Sequence, residues 1–160
     1  MKIVYKQGNL LDCEEPVIVH GVNCKGVMGS GVAKAIRDKW PIAYREYKSY
    51  CALHSPEDCL GRIVICTGNG KELDWDKYII HAFIQLNFGR DSGTTYVSYD
   101  ALRSCFKDIT NEIKSSTQTT TMKVAMPKIG AGLANGDWDT ISKIIEEESG
   151  HVWQPVVYVV

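Results

Sequence analysis

Short runs rich in Val and Ile alternate along the chain with longer stretches whose apolar positions recur at helical spacing. The runs at 2–5, 16–22, 62–67, 78–86, 122–127 and 155–160 are each bounded by Gly, Pro or Asn and predict strands. Several are apolar at successive positions, the pattern of strands covered by helices on both faces. Helices are predicted at 30–39, with Val32, Ala35 and Ile36 inward, and at 41–51, with Pro41 at the first position. A third spans 99–114, where Leu102, Cys105, Phe106, Ile109 and Ile113 form one stripe behind Ser98 as cap. A fourth spans 138–148, with Ile141, Ile144 and Ile145 inward, Asp137 as N-cap and Gly150 near its end. The Ser/Thr-rich stretch 115–121 is a connector too short to divide domains. The alternation predicts one layered α/β domain over 1–160 with a mixed, mostly parallel central sheet. In such sheets ligands sit beyond the C-terminal ends of the strands.

Composition narrows the partners. With 44% apolar and 23% charged residues, the 160-residue chain has the make-up of an ordinary soluble domain. A net charge of −1 with interleaved signs argues against nucleic acid as the main partner. A small anion remains open, because backbone N–H groups and one or two side chains hold it without net positive charge. No apolar run approaches transmembrane length, and the opening residues lack the apolar core of a signal peptide, so a cytoplasmic protein without a membrane partner is expected. Six cysteines contain no CxxC pair and read as reduced thiols. Cys51, His54 and Cys59 match no zinc-site spacing, so neither a metal nor a cofactor is expected.

Candidate chemistry gathers at two strand-to-helix turns. The strand at 16–22 leads into Asn23-Cys24-Lys25-Gly26-Val27-Met28-Gly29-Ser30-Gly31-Val32-Ala33 and then a helix, whose free N–H groups and dipole favour an anion. Two familiar phosphate loops fail here. The spacing from Gly26 to Gly31 fits a P-loop, but Val32-Ala33 replaces the Lys and Ser/Thr that the loop requires. Gly29 and Gly31 could start a dinucleotide fingerprint, but its third glycine position is Lys34. The strand at 122–127 runs into Lys128-Ile129-Gly130-Ala131-Gly132-Leu133-Ala134-Asn135-Gly136, a second loop of the same kind. Two such loops from two strands can close on opposite sides of a diphosphate.

On these residues the chain resembles the macro domain family from its first strand to its last. The matching pieces are Gly8-Asn9-Leu10-Leu11, Ile18-Val19-His20-Gly21-Val22-Asn23, Gly29-Ser30-Gly31-Val32-Ala33-Lys34-Ala35-Ile36 and Met126-Pro127-Lys128-Ile129-Gly130-Ala131-Gly132-Leu133. It is most similar to the branch of yeast-type ADP-ribose 1″-phosphate phosphatases and terminal ADP-ribose protein glycohydrolases. The resemblance implies a three-layer α/β/α sandwich binding ADP-ribose in a cleft above the sheet. It implies that Asn9 and Leu10 serve the adenine side, with Asn9 replacing the Asp of many relatives and accepting a hydrogen bond without charge assistance. Asn23 then holds the distal ribose, and Gly29, Ser30, Gly31 and Val32 border that ribose and the diphosphate. Ile129, Gly130, Ala131, Gly132, Leu133 and Ala134 form the second phosphate loop, binding mainly through backbone N–H groups.

The resemblance further implies that His20 and Asp91 are catalytic. His20 could be a base on water, a nucleophile or a proton donor. Asp91 could be an acid or base facing the distal ribose, and Arg90 a clamp on a terminal phosphate. Glycohydrolases of this branch use a Lys after the middle strand, and this chain has none between Lys77 and Lys107. Ala134 replaces the Asp of their second phosphate loop. The expected activity is metal-independent removal of the 1″-phosphate from ADP-ribose 1″-phosphate. The alternatives are an ADP-ribose reader without turnover, and a deacylase or de-ADP-ribosylase acting on ADP-ribose esters.

Overall fold

Six strands form one sheet in the order β1-β6-β5-β2-β4-β3. The computed structural model describes residues 1–66, 77–116 and 120–160. Position 67 of the predicted third strand and positions 117–119 of the predicted connector lie outside them. In chain order the strands are β1 Val4–Gln7, β2 Val17–Asn23, β3 Ile63–Cys66, β4 Tyr78–Gln85, β5 Met122–Met126 and β6 Trp153–Val159. The helices are α1 Gly31–Lys39, α2 Pro41–Leu53, α3 Pro56–Cys59, α4 Tyr99–Lys114 and α5 Trp138–Ser149. All neighbouring strands are parallel except β3, which runs antiparallel along β4 at the edge.

The period-2 side-chain alternation of the strands feeds two cores. Val17, Val19, Ile80, Ala82, Ile84, Val124 and Met126 face α4 and α5. Ile18, Val22, Ile79, Phe83 and Ala125 face α1, α2 and α3. Helices therefore cover both faces, and the expected α/β/α sandwich is observed. The α4 stripe Leu102, Cys105, Phe106 and Ile109 is buried, and each such large apolar side chain contributes about 1.5–3 kcal/mol. Ser98 caps α4 by accepting from the Ala101 N–H, and Asp137 caps α5 by accepting from the Thr140 N–H. Trp153 meets the need of a buried indole by donating to Thr110 Oγ1 at 2.9 Å, and Thr110 donates to the Glu148 carbonyl.

The differences from expectation lie at the ends of elements. The first strand is displaced from 2–5 to Val4–Gln7 because its register is set by β6, from Val4 opposite Val156 to Gln7 opposite Val159. It is an edge strand, so Lys6 and Gln7 join it despite their polarity. The short α3 escaped the periodicity. Its signal is local: Ser55 accepts from the Asp58 N–H, with Pro56 at the first helical position.

Candidate functional site

The chain turns in opposite directions on leaving β2 and β5. From β2 it passes over one face through α1 to α3 and reaches β4 by way of β3; from β5 it crosses the other face through α5 to β6. These neighbouring strands are in register only at Val17 with Val124 and Ile18 with Ala125. Beyond that, β2 stays paired with β4 alone. A crevice opens at the strand ends, the expected place for a ligand in an open α/β sheet. It is a cavity of about 830 Å³, walled by the ends of β2 and β4 and by the loops after β2, β4 and β5.

The loop after β2 is organised by Asn23. Its Oδ1 accepts from the Lys25 N–H at 2.9 Å and the Val27 N–H at 3.4 Å, and its Nδ2 donates to the Val27 carbonyl at 2.8 Å. Tyr47 of α2 donates its hydroxyl to the Asn23 carbonyl and Oδ1, at 2.7 and 2.9 Å. The second N–H of the Asn23 amide has no acceptor among the described residues. Gly31 then takes φ +62° to start α1. Ser30, at the N-cap, makes no side-chain capping bond. The N–H groups of Gly29, Ser30 and Gly31 have no acceptor among the described residues.

The loop after β5 is organised by its own backbone and by the Asn135 amide, which donates to the Asp91 and Thr94 carbonyls at 2.9 and 2.7 Å. The Ala131 N–H bonds the Lys128 carbonyl, Asn135 N–H the Gly132 carbonyl, and Gly136 N–H the Gly130 carbonyl. The Ala134 carbonyl accepts from Tyr96 and Val97 N–H, tying the loop to the segment before α4. A Cβ on Gly136 would stand 2.6 Å from the Gly130 oxygen and 2.7 Å from both Ile141 and Val97. The N–H groups of Gly132, Leu133 and Ala134 have no acceptor among the described residues. Both loops therefore border the cleft with unsatisfied donors, as an anion site requires.

His20 lies on β2 in register with His81 on β4, and both rings are buried. His20 Nε2 is 2.7 Å from His81 Nδ1, and His81 Nε2 is 3.0 Å from the Ala43 carbonyl. His20 lines the cleft, and its Nδ1 is buried without a hydrogen-bond partner. Burial holds His20 well below the ordinary imidazole range, with the neighbouring His81 adding to the effect. Burial alone brings His81 down to about 4, against a small opposing pull from the Ala43 carbonyl. Both rings are neutral near pH 7.

Among the described lining residues no carboxylate is present, whereas Arg90 and Lys128 are, and neither has an ion-pair partner among the described residues. Cations and free N–H groups without an acid, among the described lining residues, make the cleft electrostatically suited to an anion. Exposed apolar Phe88 and Leu133 stand in its wall.

The structure gathers most of the expected site. His20, Asn23, Gly29, Ser30, Gly31, Val32 and the six residues from Ile129 to Ala134 all line the cleft. Three expected residues lie outside its wall. Asn9 accepts from the Leu11 N–H and caps a 3-10 turn at Leu10–Asp12. Leu10 is buried in the core beneath α1 and α2. Asp91 is exposed, and its carboxylate accepts from the Gly93 N–H and the Thr94 hydroxyl, which lower its pKa. It closes its own turn and is not brought against His20. Cys24, beside the first loop, is buried and its thiol is pushed up to about 12, chiefly by desolvation, which removes it as a nucleophile.

Sequence reasoning missed His81, Tyr47 and Phe88. A histidine within an apolar strand run was visible at 81, but nothing along the chain says that β4 pairs with β2. Tyr47 falls within the predicted helix 41–51, where nothing local marks its hydroxyl. No local pattern marks Phe88.

A family model described as Macro domain matches residues 19–145. Over 142 residues the chain is 28% identical to a Mycobacterium tuberculosis protein named DNA ADP-ribosyl glycohydrolase, covering 88% of this chain and 37% of that one. The chain thus spans little more than a third of that relative's length. It is 27% identical over 158 residues to the ADP-ribose 1″-phosphate phosphatase of Lodderomyces elongisporus, covering 92% of each. The solved macrodomain of Mycobacterium tuberculosis DarG superposes with a TM-score of 0.79 at 22% identity, covering 99% of this chain and 97% of that one, a likeness of fold.

Proposed function

The chain belongs to the macro domain family, and from that premise we propose that it binds ADP-ribose derivatives and hydrolyses them, with ADP-ribose 1″-phosphate as first substrate. The diphosphate lies between the loop after β2 and the loop after β5. Unpaired N–H groups approach it from both sides, and the dipole of α1 adds to them. Arg90 and Lys128 supply the nearest full positive charges.

The observation that favours turnover over plain binding is His20, a cleft-lining histidine whose Nδ1 is buried with no protein partner. A reader has no use for it. A neutral ring offers one nitrogen lone pair and no cationic acid, which favours His20 as base or nucleophile and disfavours it as proton donor. As base, Nδ1 takes a proton from water as the water oxygen bonds to phosphorus. The bond from phosphorus to the 1″ oxygen breaks, that oxygen is protonated, and ADP-ribose and inorganic phosphate leave. The leaving oxygen takes its proton from solvent, and Asp91 at the cleft rim, ionised because Gly93 and Thr94 lower its pKa, is the proposed acceptor that orients the attacking water, reached only if its turn opens. Asn9 and Leu10 are proposed for the adenine end.

The test is phosphate release from ADP-ribose 1″-phosphate, with and without chelator, in wild type, His20→Ala and Asp91→Ala. Chelator-insensitive release that falls about 10²–10⁴-fold in His20→Ala is expected. Tight ADP-ribose binding with no phosphate released would leave the reader as the better account. The relative named DNA ADP-ribosyl glycohydrolase favours one second reading, removal of ADP-ribose from DNA. ADP-ribosylated DNA belongs in the same panel. Against it, Lys128 is the lysine among the described lining residues, and it lies on the loop after β5.

A further inference from the structure

We infer that His81 is a positioning residue: with the Ala43 carbonyl it fixes His20 as the Nε2–H tautomer and leaves the Nδ1 lone pair of that cleft-lining ring free. The argument is one of donors and acceptors. A carbonyl oxygen only accepts, so the 3.0 Å contact requires His81 Nε2 to carry the proton. In a neutral ring His81 Nδ1 is then an acceptor. The 2.7 Å contact therefore requires His20 Nε2 to donate to it. His20 is neutral as well, so its Nδ1 is unprotonated, and this is the atom without a partner. One backbone oxygen on α2 thus sets the state of two rings in sequence.

The same pair of rings governs proton uptake at His20. Burial in an apolar wall and the neighbouring His81 both oppose a cation on His20, so the ring stays neutral with Nε2–H donating to the His81 Nδ1 lone pair. The groups facing the pair are few. From α2 come the Ala43 carbonyl and Tyr47, whose ring lies 5.6 Å from that of His81. From β3, Val64 is opposite His81. Among the described residues no carboxylate, Lys or Arg hydrogen-bonds either ring. His81 does not line the cleft, so it acts through His20.

The kinetic consequence rests on the catalytic reading of His20, but the tautomer does not. The experiment joins two-bond ¹H–¹⁵N correlation spectra of wild type, His81→Gln and His81→Leu to pH profiles of phosphate release. Wild-type spectra should place His20 as Nε2–H with a bare Nδ1. Gln can accept from His20 and donate to Ala43, so His81→Gln should keep that signature and most of the rate. His81→Leu should scramble the signature and lower kcat at least tenfold with KM little changed. Its acid limb should move to higher pH, because the neighbouring ring that opposes the His20 cation is gone. A protonated Nδ1 on wild-type His20, or an unaltered tautomer and kcat in a folded His81→Leu, would overturn the inference. If His81→Leu fails to fold, the wild-type and His81→Gln spectra decide. No turnover with the predicted spectra would sink the phosphatase reading and leave the tautomer assignment standing.

Discussion

The loop after β2 is held by the Asn23 and Tyr47 side chains, whereas the loop after β5 is held mainly by its own backbone, with the Asn135 amide tying it to Asp91 and Thr94 and Gly136 leaving no room for a Cβ. In the first, the Asn23 amide and the Tyr47 hydroxyl make the bonds. In the second, three internal backbone bonds do so, and Gly136 closes on the Gly130 carbonyl. Both end with free N–H groups facing one crevice. The first can therefore be loosened in steps, one hydrogen bond at a time. The second has either its native shape or a strained one.

Gly136→Ala should show the largest effect. Its Cβ would meet backbone oxygen at 2.6 Å, with Ile141 and Val97 at 2.7 Å, and overpacking of this kind costs about 2–3 kcal/mol. Chemical denaturation should show that loss together with lost ADP-ribose binding. A variant as stable as wild type would mean that the second loop is not sterically fixed.

This contrast also explains what the sequence made legible. The glycines, the cap residues Ser98 and Asp137 and the α4 stripe carry their reasons locally, and all were readable. The α/β/α layering followed from apolar strands alternating with amphipathic helices. The partnership of His20 with His81 was not readable, because the residues are 61 positions apart and meet only through strand order. Gly136 was visible as a glycine, but its close approach to Gly130 depends on how the loop folds back. Asp91 was read as facing ligand, yet Gly93 and Thr94 sit within reach of its carboxylate and compete for it.

Tyr47→Phe should have an intermediate effect. It removes the hydroxyl that bonds both Asn23 oxygens and leaves buried acceptors less satisfied, about 1–2 kcal/mol. ADP-ribose affinity should fall while the fold survives, which thermal unfolding and calorimetry would show. Unchanged affinity would argue that the first loop keeps its shape without α2.

Gly31→Ala should be the mildest. A Cβ there meets no atom within 4 Å, so the cost is conformational only, at φ +62°, about 1 kcal/mol. Stability should fall by that amount with a modest loss of binding. A loss as large as that of Gly136→Ala would erase the distinction between the two loops.

The central claim is that these loops clasp a diphosphate from opposite sides. Titration calorimetry of the wild-type protein with ADP-ribose, AMP and NAD tests it most directly. The account predicts that ADP-ribose binds at least about tenfold more tightly than AMP, a difference of about 1.4 kcal/mol. Equally weak heats for all three ligands would contradict it.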